Sequence, residues 1–193
     1  MSLGEGPGDF NSIDAVVRAL LQNAGYDIGP ARQNITDALN FSQPISPEMY
    51  LGYQELQSGR ADYLGDATGL RPAASYNYTL SNISHTNAVY LAGEWYSAPQ
   101  YLMAVNNSRI FLVYYARKVN IVAGGNSTLY VYLDGNALND SYLGTDARLV
   151  NGTATVTINS PRLYNVVSAP SYGAHLLEID AKPGFKIYTF TFG

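Results

Sequence analysis

The chain has 193 residues, 47% of them hydrophobic, only 13% charged, and a net charge of −4; that is the length of one domain with enough apolar material for a core. Its eleven Lys and Arg do not cluster, which argues against a nucleic-acid footprint, and the absence of Cys excludes disulfides, thiolate metal sites and Cys-x-x-Cys redox chemistry from this chain. No apolar run is long enough to cross a membrane as a helix.

In chain order, the start around Met1 to Asp9 is polar and Gly-rich, without a basic and apolar leader. Ile13, Val16, Val17, Leu20, Leu21 and Ala24 then fall on one face of a helix, with Asn11 or Ser12 available as the cap and Gly25 as the stop. Residues 27–47, with Pro30, Pro44 and Pro47, read as a polar linker with a short helical turn around 35–39. From Glu48 onward the pattern is that of strands: 88–92, 101–105, 109–115, 118–123, 129–133, 154–158, 162–167, 175–180 and 186–192. Asn106-Asn107-Ser108 reads as a hairpin turn, and Asp134-Gly135 as another. Leu129, Val131 and Leu133 share one face of their strand, and Tyr130 and Tyr132 the other. Residues 110–115 are apolar on both faces and belong in a central strand. About nine short strands separated by regular turn signals predict a mainly β chain, an antiparallel β-sandwich of jelly-roll type preceded by one N-terminal α-helix. Seventeen Tyr against six Phe and one Trp suit such sheets, because the ring packs while the hydroxyl stays wet.

Asn-x-Ser/Thr triplets begin at Asn34, Asn40, Asn77, Asn82, Asn106, Asn126, Asn139 and Asn151, where composition alone would place about two. These N-glycosylation acceptors imply an extracytoplasmic protein. Four of them, Asn106, Asn126, Asn139 and Asn151, fall on predicted turns. A chain with export marks and no leader is expected to be a piece of a longer protein.

Catalytic chemistry is not legible. His85 and His175 have Ser84 and Ser171 nearby, but no nucleophile elbow accompanies them. Two histidines without Cys make no zinc signature, and Asp134, Asp140 and Asp146 lack calcium-loop spacing. A glycosidase pair would draw on Glu48, Glu55, Glu94, Asp134 or Glu178, and nothing singles out two of them. We therefore expect no catalytic residues, no metal and no cofactor. Gly93-Glu94-Trp95-Tyr96 reads as either a ligand-facing corner or a core anchor.

Several of these landmarks carry a resemblance. Ser46-Pro47-Glu48-Met49-Tyr50-Leu51-Gly52-Tyr53, Gly93-Glu94-Trp95, Ala116-Arg117-Lys118-Val119, Val131-Tyr132-Leu133-Asp134-Gly135, Arg162-Leu163-Tyr164, His175-Leu176-Leu177 and the closing run from Pro183-Gly184 to Tyr188-Thr189-Phe190-Thr191-Phe192-Gly193 occur in order. Together they resemble the C-terminal domain that follows the thioredoxin fold in DipZ-type cytochrome c biogenesis and thioredoxin-like proteins of the thiol-disulfide oxidoreductase family. Gly4-Glu5-Gly6 and the amphipathic helix resemble the end of the preceding thioredoxin fold. The resemblance implies a remnant of that domain over 1–26, the linker over 27–47 and a carbohydrate-binding-module-like sandwich over 48–193. Any oxidoreductase activity belongs to the absent Cys-x-x-Cys half.

The expected function is thus a non-catalytic accessory sandwich that binds a glycan or a partner surface, with Trp95, Tyr130 and Tyr132 as stacking candidates. The upstream thioredoxin-like domain is its partner in the parent protein. A purely structural, glycosylated envelope domain is the alternative, and a sandwich hydrolase using Glu94 or Glu178 with a histidine is a third.

Overall fold

A computed structural model describes residues 10–26, 45–57, 64–65 and 69–193. The 35–39 turn, Asn34 and Asn40 lie outside the described residues. The chain divides into two units, one ending at Gln43 and one beginning at Pro44. In the first, helix α1 spans Phe10–Asn23. It ends as its sequence predicts. Gly25 takes φ +83°, Tyr26 N–H donates to Leu21 C=O at 3.0 Å and Gly25 N–H to Gln22 C=O at 3.0 Å, which is the Schellman closure that favours glycine. Val16, Val17, Leu20 and Leu21, all on the apolar stripe, are exposed.

The second unit holds β1 (Met49–Tyr50), α2 (Tyr53–Gln57), β2 (Ser75–Tyr78), β3 (Val89–Ser97), β4 (Leu102–Ala104), β5 (Ser108–Gly124), β6 (Ser127–Leu133), β7 (Asn136–Ala137), β8 (Ala147–Val150), β9 (Thr153–Ile158), β10 (Arg162–Ala181) and β11 (Lys186–Phe192). The strand ladders are antiparallel, and the fold is the mainly β, sandwich-like class that the alternation predicts. Hydrogen bonding runs from β5 to β3, β4, β11 and back to β5, so that part of the sheet closes on itself. From β5 the sheet also extends through β10 to β6, β9 and β8. The two ends of the strand-bearing unit meet: Met49 and Tyr50 pair with Phe190 and Thr189. Ile45 and Ser46, read as the close of the linker, belong to this unit, since Ile45 packs on the core and the buried Ser46 donates its N–H to Tyr115 C=O and accepts the Tyr115 N–H on its hydroxyl.

Two expected boundaries are corrected. Residues 109–115 and 118–123 form one 17-residue strand, β5, because nothing between them removes a backbone donor or demands a turn. Residues 162–167 and 175–180 form one 20-residue strand, β10, because register shifts between Asn165 and Val167 and between Ser168 and Gly173 absorb Pro170 as bulges. The central placement of 110–115 is as expected, with β3 on one side and β10 on the other.

Asn106-Asn107-Ser108 is not a hairpin turn either. β4 pairs with Trp95 to Ser97 of β3 and β5 with Val89 to Ala92, both antiparallel, so the segment crosses Gly93 and Glu94 along the edge of β3 instead of turning back between two paired strands. Ser108 Oγ donates to Glu94 C=O at 2.9 Å, and Val105 N–H donates to the same oxygen at 3.0 Å. Gly93 bends β3 under this crossing with φ +83°, and a Cβ there would stand 2.8 Å from Ser108 Oγ, so the position requires glycine. The Asp134-Gly135 turn, with φ of 54° and 74°, joins β6 to β7 as read, in the mirror-image geometry that hairpins favour.

The core lies beneath the Gly93 bend. Trp95 is 0% exposed, donates Nε1–H to Ala92 C=O at 3.1 Å and meets Phe185 edge-on at 6.4 Å. Leu91, Leu102, Ile110, Leu112, Ile121 and Phe190 surround the same interior. Tyr164, also buried, donates to Ser160 C=O at 2.7 Å and accepts from the Asn159 and Ser160 amides, closing the β9–β10 loop as a tyrosine corner does. Trp95→Ala should cost about 3–5 kcal/mol in urea unfolding, the usual loss for a large buried aromatic. A loss below about 1 kcal/mol would contradict its place in the core.

Candidate functional site

The period of two along β6 buries Leu129, Val131 and Leu133 and leaves Tyr130 and Tyr132 half-exposed on the outer face. The same period along β10 brings Glu178 and Asp180 to that face, between buried Leu177, Ile179 and Ala181. Register then assembles the site. Asp180 stands opposite Tyr130 on one side and Arg109 on the other, while Glu178 stands opposite Tyr132 and Phe111. Thr155 of β9 extends the row beyond Tyr130. The result is a surface groove of about 450 Å³ lined by Arg109, Tyr130, Tyr132, Thr153, Asp180 and Lys182, with Asn107 and Ser108 at the crossing segment.

Its polar groups are unevenly satisfied. Arg109 Nη1 lies 3.4 Å from Glu178 Oε1, and its guanidinium covers the Phe111 ring at 5.2 Å. The Lys182 ammonium sits 5.6 Å from the centroid of Tyr130. Asp180 Oδ1 is buried and has no hydrogen-bond partner among the described residues. Burial, and then the charge of Asp180, push the Glu178 carboxyl above its ordinary value against the pull of Arg109. Burial likewise raises the Asp180 carboxyl, although Arg109, Glu178 and Lys182 oppose the shift. Burial, followed by the two carboxylates, raises the Tyr132 hydroxyl. The face can therefore offer aromatic surface, acceptors and donors to one ligand at once.

Trp95, the third stacking candidate, does not reach this face or any other surface. Its complete burial corrects the reading as a ligand contact: the Gly93 bend directs the indole inward, where its N–H finds a carbonyl. The hydrolase candidates stay apart. His175 and Glu178 lie on opposite faces of β10 by strand alternation. Glu94 accepts Asn106 Nδ2–H at 2.7 Å. His85 Nδ1 lies 3.0 Å from Ser84 Oγ and 3.3 Å from the Tyr90 hydroxyl, within a loop that also ties the Ser84 and His85 amides to Tyr90.

Two of the calcium candidates, Asp134 and Asp146, have other partners. Asp134 Oδ2 contacts His175 Nδ1 at 2.7 Å and Asp134 Oδ1 accepts Leu176 N–H at 2.8 Å, which locks the β6–β7 turn onto β10. Asp146 binds Arg162 at 2.8 Å and accepts Asn165 N–H; although burial raises its carboxyl, these bonds bring it below its ordinary value. Among the described residues no three His, Cys, Asp or Glu side chains gather as a metal site. The described sequon asparagines, Asn77, Asn82, Asn106, Asn126, Asn139 and Asn151, are all exposed. Ser108, the hydroxyl member of the Asn106 triplet, is buried and bonded to a backbone carbonyl.

Sequence reading missed Arg109, Asp180 and Lys182 as members of the groove. The available signal was Glu178-Ile179-Asp180, two carboxylates on one face of a strand, opposite in sense to the aliphatic side that carries it. It also missed the Asp134–His175 pair, two landmarks 41 residues apart that strand register brings into contact.

Fold and site together define an antiparallel β-sandwich, free of thiols, that carries a mixed aromatic and charged groove on one outer face. The chain belongs to the thioredoxin-like C-terminal domain family, whose pattern matches residues 46–193. It is similar to Protein DipZ of Mycobacterium bovis and of Mycobacterium tuberculosis, at 28% identity over 194 residues in each case. These alignments cover 97% of this chain and 24% of the relatives, so the chain spans about a quarter of their length. Among solved structures, a family two carbohydrate esterase from Clostridium thermocellum in complex with cellohexaose aligns at 18% identity and a TM-score of 0.38, over 49% of this chain and 27% of that one.

Both groove carboxyls bind their proton more tightly in the folded chain than in the unfolded one. Between the unfolded and folded pKa values the folded state holds more protons, so these two groups make stability fall as pH rises. Asp180→Asn should therefore raise Tm at neutral pH, by about 2–4 °C for each kcal/mol relieved. The gain should shrink as pH is lowered toward about 4, the carboxylate's unfolded value. A variant that melts below the parent at neutral pH would contradict the burial of this carboxyl.

Proposed function

We propose that this chain is a non-catalytic accessory domain of a larger extracytoplasmic thioredoxin-like protein, and that it binds a glycan in the groove on β6. The observation that carries the reading is the joint exposure of Tyr130 and Tyr132 on one strand face, beside the acceptor of Asp180 and the donors of Arg109 and Lys182. Sugars are held in this way, their apolar ring faces on aromatics and their hydroxyls on a few fixed polar groups. The parent's thioredoxin-like domain is the partner, with 1–26 as its last element. The domain then holds the redox unit near glycan-bearing surfaces. A structural, glycosylated envelope domain is the second reading, and the exposure of every described sequon asparagine favours it.

Affinity electrophoresis through gels containing polysaccharides separates the two. The parent chain should be retarded, and the Tyr130→Ala/Tyr132→Ala variant should migrate as in a blank gel while losing no more than about 1 kcal/mol of stability, the usual range for half-exposed positions. Equal mobility of parent and variant in every gel would leave the structural reading in its place.

With no Cys in the chain, purified protein should also fail to accelerate insulin disulfide reduction by dithiothreitol. Turbidity rising faster than in buffer would contradict the accessory role.

A further inference from the structure

Within the groove, one atom is conspicuous. Asp180 Oδ1 is buried at the groove lining without a hydrogen-bond partner among the described residues. Leaving such an acceptor unpaired is costly, and a carboxylate can take several donors. The nearby cations do not relieve it by an ion pair: Arg109 is engaged with Glu178, and the Lys182 ammonium lies over the Tyr130 ring. Asp180 is also the register partner of Tyr130, so a ring resting on that tyrosine would bring its edge to the carboxylate. Tyr132 continues the platform two residues along the strand, about 6.6–6.8 Å away.

Charge narrows the ligand further. Of the lining charges Arg109, Lys182 and Asp180, Arg109 is paired with the adjoining Glu178, which leaves one cation and one carboxylate and no excess of either sign with which to attract a uronate or an amino sugar.

We propose that Asp180 is the specificity-determining acceptor of this groove, and that the ligand is an uncharged pyranose polymer whose neighbouring ring hydroxyls donate to Asp180 while the sugar faces rest on Tyr130 and Tyr132. This rests on the glycan-binding reading above. It also gives binding a pH dependence. Arg109 from β5, Glu178 from β10, Tyr130 and Tyr132 from β6 and Lys182 beyond the strand end surround the carboxyl. Protonation turns one acceptor oxygen into a donor, so binding weakens on acidification. Burial, by raising the carboxyl, moves this loss to a higher pH than a free aspartate would show.

The test is affinity electrophoresis of the full chain in gels of xylan, mannan, β-glucan, galactan and polygalacturonate. The parent, Asp180→Asn and Tyr130→Ala/Tyr132→Ala are compared, with Tm measured for each. The expected result is retardation of the parent by at least one neutral polymer and not by polygalacturonate. O-methylation of that polymer should abolish retention, and Asp180→Asn should weaken it at least ten-fold with Tm equal to or above the parent's. If the tyrosine variant loses binding and Asp180→Asn keeps it, the groove stands and the assignment of Asp180 falls. Retention by polygalacturonate at equal or lower concentration overturns the uncharged ligand. No retention of the parent in any gel overturns both this inference and the glycan reading beneath it.

Discussion

The pairing of β5 with β10 along almost the full length of both strands is the constraint on which the rest depends. β5 leaves its other edge to β3 in its first half and to β11 in its second, which closes the sheet around Trp95 and Phe185. β10 passes its far edge to β6 and so sets the outer face. A slip of one residue in the β10 register would turn Glu178 and Asp180 into the core and bring Leu177 and Ile179 to the surface. The bulges between Asn165 and Gly173 absorb the irregular Pro170 segment before the register that matters for the groove begins.

The outer face trades stability for a surface that can bind. Two carboxyls two residues apart on one strand lose part of their hydration and have raised pKa values, with the charge of Asp180 adding to the rise at Glu178; Arg109 offsets only part of this. The buried Ser97 and Tyr114 hydroxyls also lack partners among the described residues, but other side chains are closely satisfied. Asp146 pairs with Arg162 and a backbone amide, Asp134 holds His175 and the Leu176 amide, and the Tyr164 hydroxyl is bonded three times. An under-satisfied Asp180 among such neighbours is the kind of local cost that functional sites carry.

Local pattern made part of this legible and long-range register hid the rest. The alternation in Leu129 to Leu133 is complete within the strand, so the faces of Tyr130 and Tyr132 could be read directly, as could the α1 stop at Gly25 and the Asp134-Gly135 turn. The continuity of β5 and β10 could not, because bulges let a strand run through residues that read as breaks. Trp95 was ambiguous because the same Gly-x-Trp spacing serves a surface corner and a bend that points inward. The crossing of Ser108 over Gly93, which decides between them, joins residues from different strands. Asp180 and Arg109 were ordinary charges until register placed them side by side.

The most direct test of the account is residue-resolved. In ¹H–¹⁵N spectra of the labelled chain, titration with a soluble neutral oligosaccharide should shift the amides of Tyr130, Tyr132, Asp180, Lys182 and Arg109 together and leave β1, β4 and β11 unmoved. Saturable shifts centred on another face, with this group unchanged, would contradict the central claim that the groove on β6 is where the protein meets its ligand.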